Sequence, residues 1–93
     1  MNKKQLLELA EVHTYKGELR TGQKVAMDPR SMFSTQGFDT DGESFDGVVM
    51  GDNVGTPGWI SVRWFPNGVF CYRYNEKICD VIPILEVENG FIE

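Results

Sequence analysis

"GWISVRWFPNGVFCYRY", Gly58 to Tyr74, decides how this chain is read. Two runs rich in aromatic and β-branched residues flank Pro66-Asn67-Gly68. Such runs around a turn tripeptide predict a β-hairpin. Pro suits the first central position of a type I turn, Asn tolerates the second, and Gly accepts the left-handed conformation that follows. That turn predicts a three-residue loop with a bulge, pairing Phe65 with Val69, Trp64 with Phe70, Val62 with Tyr72 and Ile60 with Tyr74. The inner face is then Ile60, Val62, Trp64, Phe70, Tyr72 and Tyr74, all apolar or aromatic. The outer face is Trp59, Ser61, Arg63, Phe65, Val69, Cys71 and Arg73, which is mixed. A slip of one residue would exchange the faces, so the cleaner inner set decides the register.

Upstream, "GVVMGD" (47–52) reads as a strand, and "NVGTPG" (53–58) as a turn-rich connection. "RSMFSTQGFDTDGESFDG" (30–47) has no periodicity and is rich in Ser, Thr, Gly and Asp. A loop of this length in a compact domain is either functional or mobile. Phe33, Phe38 and Phe45 would pin it to the body, as plugs of one end of the fold or as walls of a groove. "GQKVAMDP" (22–29) holds a strand over 24–27, stopped by Asp28-Pro29. Asn2 can cap a helix over 3–12 whose apolar stripe is Leu6, Leu7, Leu9 and Ala10, with Val12 near its end. Three turns are marginal alone. Leu6, Leu7 and Ala10 therefore need a cover, from the rest of the chain or from a second copy across a dimer axis. Downstream, "EKICDVIPILEV" (76–87) predicts a helical turn and a last strand, which Pro83 assigns to an edge or a bulge. "ENGFIE" is a tail with Phe91 and Ile92 able to tuck back.

The 93 residues carry a net charge of −5 and 41% hydrophobic residues. That is the composition of one small globular domain, read as helix and linker (1–16), β-domain (17–88) and tail (89–93). The acidic balance argues against nucleic acid, whose phosphates need a basic stripe. Arg20, Lys24, Arg30, Arg63, Arg73 and Lys77 are the residues that could form one. No run reaches the roughly eighteen apolar residues of a membrane span. No secretory leader is evident, so the expected compartment is the cytoplasm.

The chemistry-bearing residues are few. His13 is the one histidine, expected as an exposed residue at a helix end. Cys71 and Cys79 lack metal-ligand spacing; symmetric about Asn75, they would face each other if a hairpin turned there, and free thiols are expected. "DTDGESFD" (39–46) fails the EF-hand template because Gly42 falls at the fourth position, so no metal or other cofactor is expected. Arg73 is open between an ion pair with an acid such as Asp80 and a contact to a ligand carboxylate.

Strand, long loop, strand, strand, Asn-Gly turn, strand, helical turn and strand is the order of a small five-stranded SH3-like barrel, here mainly β with a short N-terminal helix. The words resemble the MIB/HERC domain of the Mind bomb and HERC ubiquitin ligases. The matching positions are Gly22, Val25, Asp28, Gly47, Val49, Trp59, Val62, Trp64, Asn67, Gly68, Tyr72, Arg73, Asp80 and Val81, across residues 20–85. The family's tryptophan-rich segment is replaced by "PRSMFSTQG", its closing Leu is Val81, and the helix lies outside the resemblance.

The resemblance implies binding of a peptide or protein and no catalysis. On it, Phe33, Phe38, Trp59 and Tyr74 are expected as groove walls, Asp39, Asp41 and Glu43 as the attraction for a basic partner, and Arg73 as a ligand contact. A chain starting at Met1 without a ligase domain also suits a stand-alone inhibitor or accessory factor, of the kind phages and mobile elements encode. A nucleic-acid binder of KOW or Tudor type ranks third.

Overall fold

A computed structural model describes residues 2–15, 17, 19–52, 56–65 and 67–84, with the side chain of Asp52 left aside. It contains α1 (Lys3–Val12), β1 (Lys24–Met27), a 3-10 turn (Ser34–Gln36), β2 (Asp46–Asp52), β3 (Trp59–Phe65), β4 (Gly68–Arg73) and β5 (Val81–Pro83). The five strands form one antiparallel sheet in the order β4-β3-β2-β1-β5. The protein is thus mainly β, with one N-terminal helix. The predicted tail, Pro66 at the turn and the start of the 53–58 connection lie outside the described residues.

Asn2 starts α1 as the cap its side chain suggested. Its side-chain oxygen accepts from Gln5 N at 2.9 Å, and Gln5 Oε1 accepts from Asn2 N at 3.0 Å. This reciprocal box satisfies two helix-end donors and is worth about 1 kcal/mol. One turn apart, Leu6 and Ala10 enter the same core as the sheet. The cover they require is therefore the chain itself. Leu9 and Val12 stay exposed.

The hairpin keeps its predicted faces but not its predicted register. The observed pairs are Ile60 with Tyr72, Val62 with Phe70, Arg63 with Val69 and Trp64 with Gly68, two residues from the expected pairing. A shift of two preserves every inward position, so the apolar pattern could exclude a slip of one but not this one. In the sheet, Trp64 lies between Gly47 of β2 and Gly68 of β4, bare backbone on both sides. A Cβ on Gly47 would strike the Trp64 ring and stand 3.0 Å from the Val25 carbonyl oxygen. The observed register sets Tyr72 edge-on to the indole, centroids 5.8 Å apart. Gly68, at φ +106°, keeps the left-handed geometry expected of it.

Five of the six predicted inner residues are buried; Phe70 is 39% exposed. The indole Nε1–H donates to Tyr72 Oη, which donates to Gln36 Oε1 at 2.8 Å. Phe33 meets the Tyr72 ring edge-on, centroids 5.6 Å apart. These contacts fasten the 3-10 turn to the hairpin. The 30–47 segment is accordingly a folded loop, pinned by Phe33, Phe38 and Phe45 as their apolar character suggested.

Candidate functional site

Three clusters carry the polar chemistry, and burial separates their uses. The first is the corner where β4 runs into β5. Asp80 is fully buried. Its carboxylate accepts from Arg73 Nε (2.9 Å), Arg73 Nη2 (3.1 Å), the Arg73 backbone N–H (2.9 Å) and Ser31 Oγ (3.0 Å). Its backbone closes the corner, with Asp80 N–H on Arg73 O and Asp28 N–H on Asp80 O, both at 2.9 Å. Buried charge persists only when paired and hydrogen-bonded, and this one is. Of the two readings open for Arg73, the ion pair is the one observed. The carboxylate also raises the Arg73 pKa through the hydrogen bond. The Arg73 guanidinium lies 5.5 Å from the Phe33 ring centroid. A hollow of about 570 Å³ opens beside this corner, bordered by Arg30, Met32, Glu76 and Lys77. Arg30 there is committed to Asp28, at 3.2 Å.

The second cluster is His13, Tyr15 and Tyr74. His13 Nε2 lies 3.1 Å from Tyr74 Oη, and the two rings stack at 6.0 Å. Tyr15 tilts against Tyr74 at 5.1 Å. His13 is thus half-buried on a phenol rather than exposed at the helix end, because the chain leaving α1 crosses the end of β4. Burial pushes the Tyr74 phenol up to about 12 and raises the Cys79 thiol. Cys79 bridges to Tyr74, and Cys71 pairs with Ser61, so the two thiols do not sit opposite each other. Both are free.

The third cluster is solvent-facing. Residues 38–44 form a tight turn closed by a Phe38–Ser44 bridge. Asp39 Oδ1 accepts from Asp41 N (2.8 Å) and Glu43 N (3.0 Å), which fixes the turn and leaves the carboxylates of Asp39, Asp41 and Glu43 at the surface. Phe38 is buried beneath it, with Lys3 Nζ 5.3 Å from its ring centroid. The turn borders a shallow depression with Phe38, Asp39, Thr40 and Asn67 on its rim. Phe45 is also a wall of a second hollow, of about 280 Å³, lined further by Val48, Phe65, Ile84, Asp46 and Lys24. Arg63 lies 5.1 Å from the Phe65 ring centroid.

The eight residues singled out by sequence therefore fall in different places. Phe38 and Asp39 border the acidic depression, with Asp41 and Glu43 on the same turn. Phe33 and Arg73 belong to the Asp80 corner. Tyr74 is core beneath His13, and Trp59 is half-buried opposite Arg73, bordering neither of the two hollows that share Phe45. The aromatic residue that borders both hollows is Phe45, and Phe65 pairs with Asp46 in the second. Strand alternation put Phe65 on the outer face, and that was the available signal for it. Of the six cations that could have made a basic stripe, Arg30 and Arg73 are held by carboxylates. Among the described residues, no helix is long and apolar enough to cross a membrane. No protein-family model, curated protein or solved structure matches this chain.

Proposed function

We propose that this chain is a non-enzymatic protein-interaction module, an SH3-like barrel of the MIB/HERC kind, that receives a basic segment of a partner protein bearing apolar side chains. The observation that carries the proposal is the aromatic hollow of Phe45 and Phe65 with Asp46 and Lys24 in its lining, sharing Phe45 with a depression that Asp39 and Lys3 border, while Asp41 and Glu43 stand exposed on the same turn as Asp39. Apolar side chains would fill the hollow, and the acidic turn would steer and orient a lysine- or arginine-bearing partner.

The barrel reading draws on three features. The first is the strand order. The second is a register shift between Val49 and Gly51, where β2 can bend. The third is the tie between the two outermost strands, made at one end by the Tyr74–Cys79 bridge and the Asp80 hydrogen bonds. The MIB/HERC reading draws on where the matching residues fall: Val25, Asp28, Gly47, Val49, Val62, Trp64, Tyr72, Asp80 and Val81 are all buried. The non-enzymatic reading draws on His13, engaged with a phenol that holds its proton, and on Cys79, whose raised pKa disfavours the thiolate.

The test is selection from a displayed random-peptide library, followed by backbone NMR titration. Enriched peptides should combine Lys or Arg with an apolar anchor, lose affinity with salt, and shift the amides of Phe45, Asp46, Phe65 and Ile84. Phe65→Ser with Asp46→Lys should cut affinity at least about tenfold with the fold intact. Unchanged binding by that variant, or shifts confined to another surface, would discard the proposal.

A further inference from the structure

We infer that the free edge of β4 accepts an extended segment of a partner protein as an added strand, and that this segment alternates apolar and acidic residues. This surface is distinct from the hollow of Phe45 and Phe65. The sheet ends on β4 at one side and β5 at the other. Natural sheets guard such edges with short strands, prolines, lysines or bulges. β5 is guarded: it has three residues and ends on Pro83. β4 is guarded only at its far end, where Asp80 takes the Arg73 N–H and C=O. Before that, the outward residues Val69 and Cys71 lie on a stretch without proline, lysine or a break in its ladder with β3.

Phe70 gives the second observation. Its position shares a face with Tyr72, which is fully buried, and it pairs with Val62, also fully buried, yet Phe70 remains 39% exposed. Among the described residues no strand lies beyond it to cover its flank. Val69 beside it is 54% exposed. A strand added to β4 would cover Phe70 on one face and extend the Val69 row on the other, with main-chain hydrogen bonds supplying affinity.

Charge selects the occupant. The chain is net acidic, but residues 53–75 contain two arginines and no acidic residue. Arg73 is held by Asp80, which leaves Arg63 as the charge facing this edge. Arg63 is exposed and pairs with Val69, one strand in from the edge. A second copy adding its own β4 would bring the same arginine-bearing, acid-free hairpin against this one. Glutamate or aspartate on the added strand would instead meet opposite charge across the row.

The probe is a synthetic ten-residue peptide alternating valine and glutamate, with a lysine-for-glutamate version as control, titrated into the full chain. Amide hydrogen exchange and backbone NMR are the readouts. The expected result is that the outward amides of Val69 and Cys71 exchange freely in the dilute protein, that the glutamate peptide protects them, and that the lysine peptide binds at least about tenfold more weakly. Phe70→Thr should weaken the glutamate peptide with the fold intact. Protection of those amides in the dilute free chain would show residues 85–93 or another part of the chain on this edge and overturn the inference. Protection that appears only at high protein concentration would assign the edge to a second copy and overturn it too. So would equal binding of the two peptides, or none of the glutamate peptide.

Discussion

Asp80 and Asp39 are the same side chain put to opposite use. Asp80 is buried at the β4–β5 corner, where Arg73, Ser31 and a backbone N–H occupy its carboxylate. Asp39 is exposed, and one of its oxygens organises two backbone N–H groups of a surface turn. The corner carboxylate has no capacity left for a ligand; the turn presents its carboxylates to solvent. Acidity alone does not mark a binding residue here. What separates the two is whether the surrounding chain has already supplied the donors.

The contrast can be broken at either end. Asp80→Ala should have the largest effect, about 2–3 kcal/mol in urea unfolding, because it removes a fully buried carboxylate and leaves the Ser31 hydroxyl and the Arg73 backbone N–H without their acceptor. A loss below about 1 kcal/mol would show that the corner is not held as described. The neighbouring tyrosine sets an alkaline limit. Tyr74 titrates near 10 in an unfolded chain and about 12 in the fold, so its stabilisation is complete below pH 10 and is lost as pH rises toward 12. Tyr74→Phe should flatten that part of the stability–pH curve by on the order of 2 kcal/mol.

At the exposed end, Asp39→Ala should cost only about 1 kcal/mol, as loss of a turn cap does. Asp41→Asn should change stability by less than about 0.5 kcal/mol. It should still lower the affinity of a basic peptide selected on this protein, measurably so only at low salt. A large stability loss from either turn substitution would place the turn with the corner and end the distinction.

Legibility followed the range of the interactions. The cap at Asn2, the helix over Lys3–Val12 and the strand over Lys24–Met27 were readable because each rests on neighbours within a few residues. Pro83 announced an edge strand for the same reason: proline lacks the donor that a central strand needs. His13 was misjudged because its partner, Tyr74, is 61 residues away. Gln36 went unnoticed because its value lies in receiving the Tyr72 hydroxyl across 36 residues. Phe33 and Phe38 were recognised as anchors, but their partners, Tyr72 with Arg73 and Lys3, come from distant segments.

By itself the sequence determined the helix, the strands, the two faces of the hairpin and the acidity of the long loop. These follow from periodicity, turn chemistry and composition, which act locally. The helical turn predicted from Glu76 is a run of bends, and the 3-10 turn at Ser34–Gln36 had no signal. Only the tertiary structure decided the register of the hairpin, since a two-residue shift leaves the alternation intact. It likewise decided which acids are buried and which are exposed, and that Phe45 rather than Trp59 or Tyr74 borders the depression at Asp39. Those outcomes depend on which distant side chains exclude water from a given carboxylate or ring.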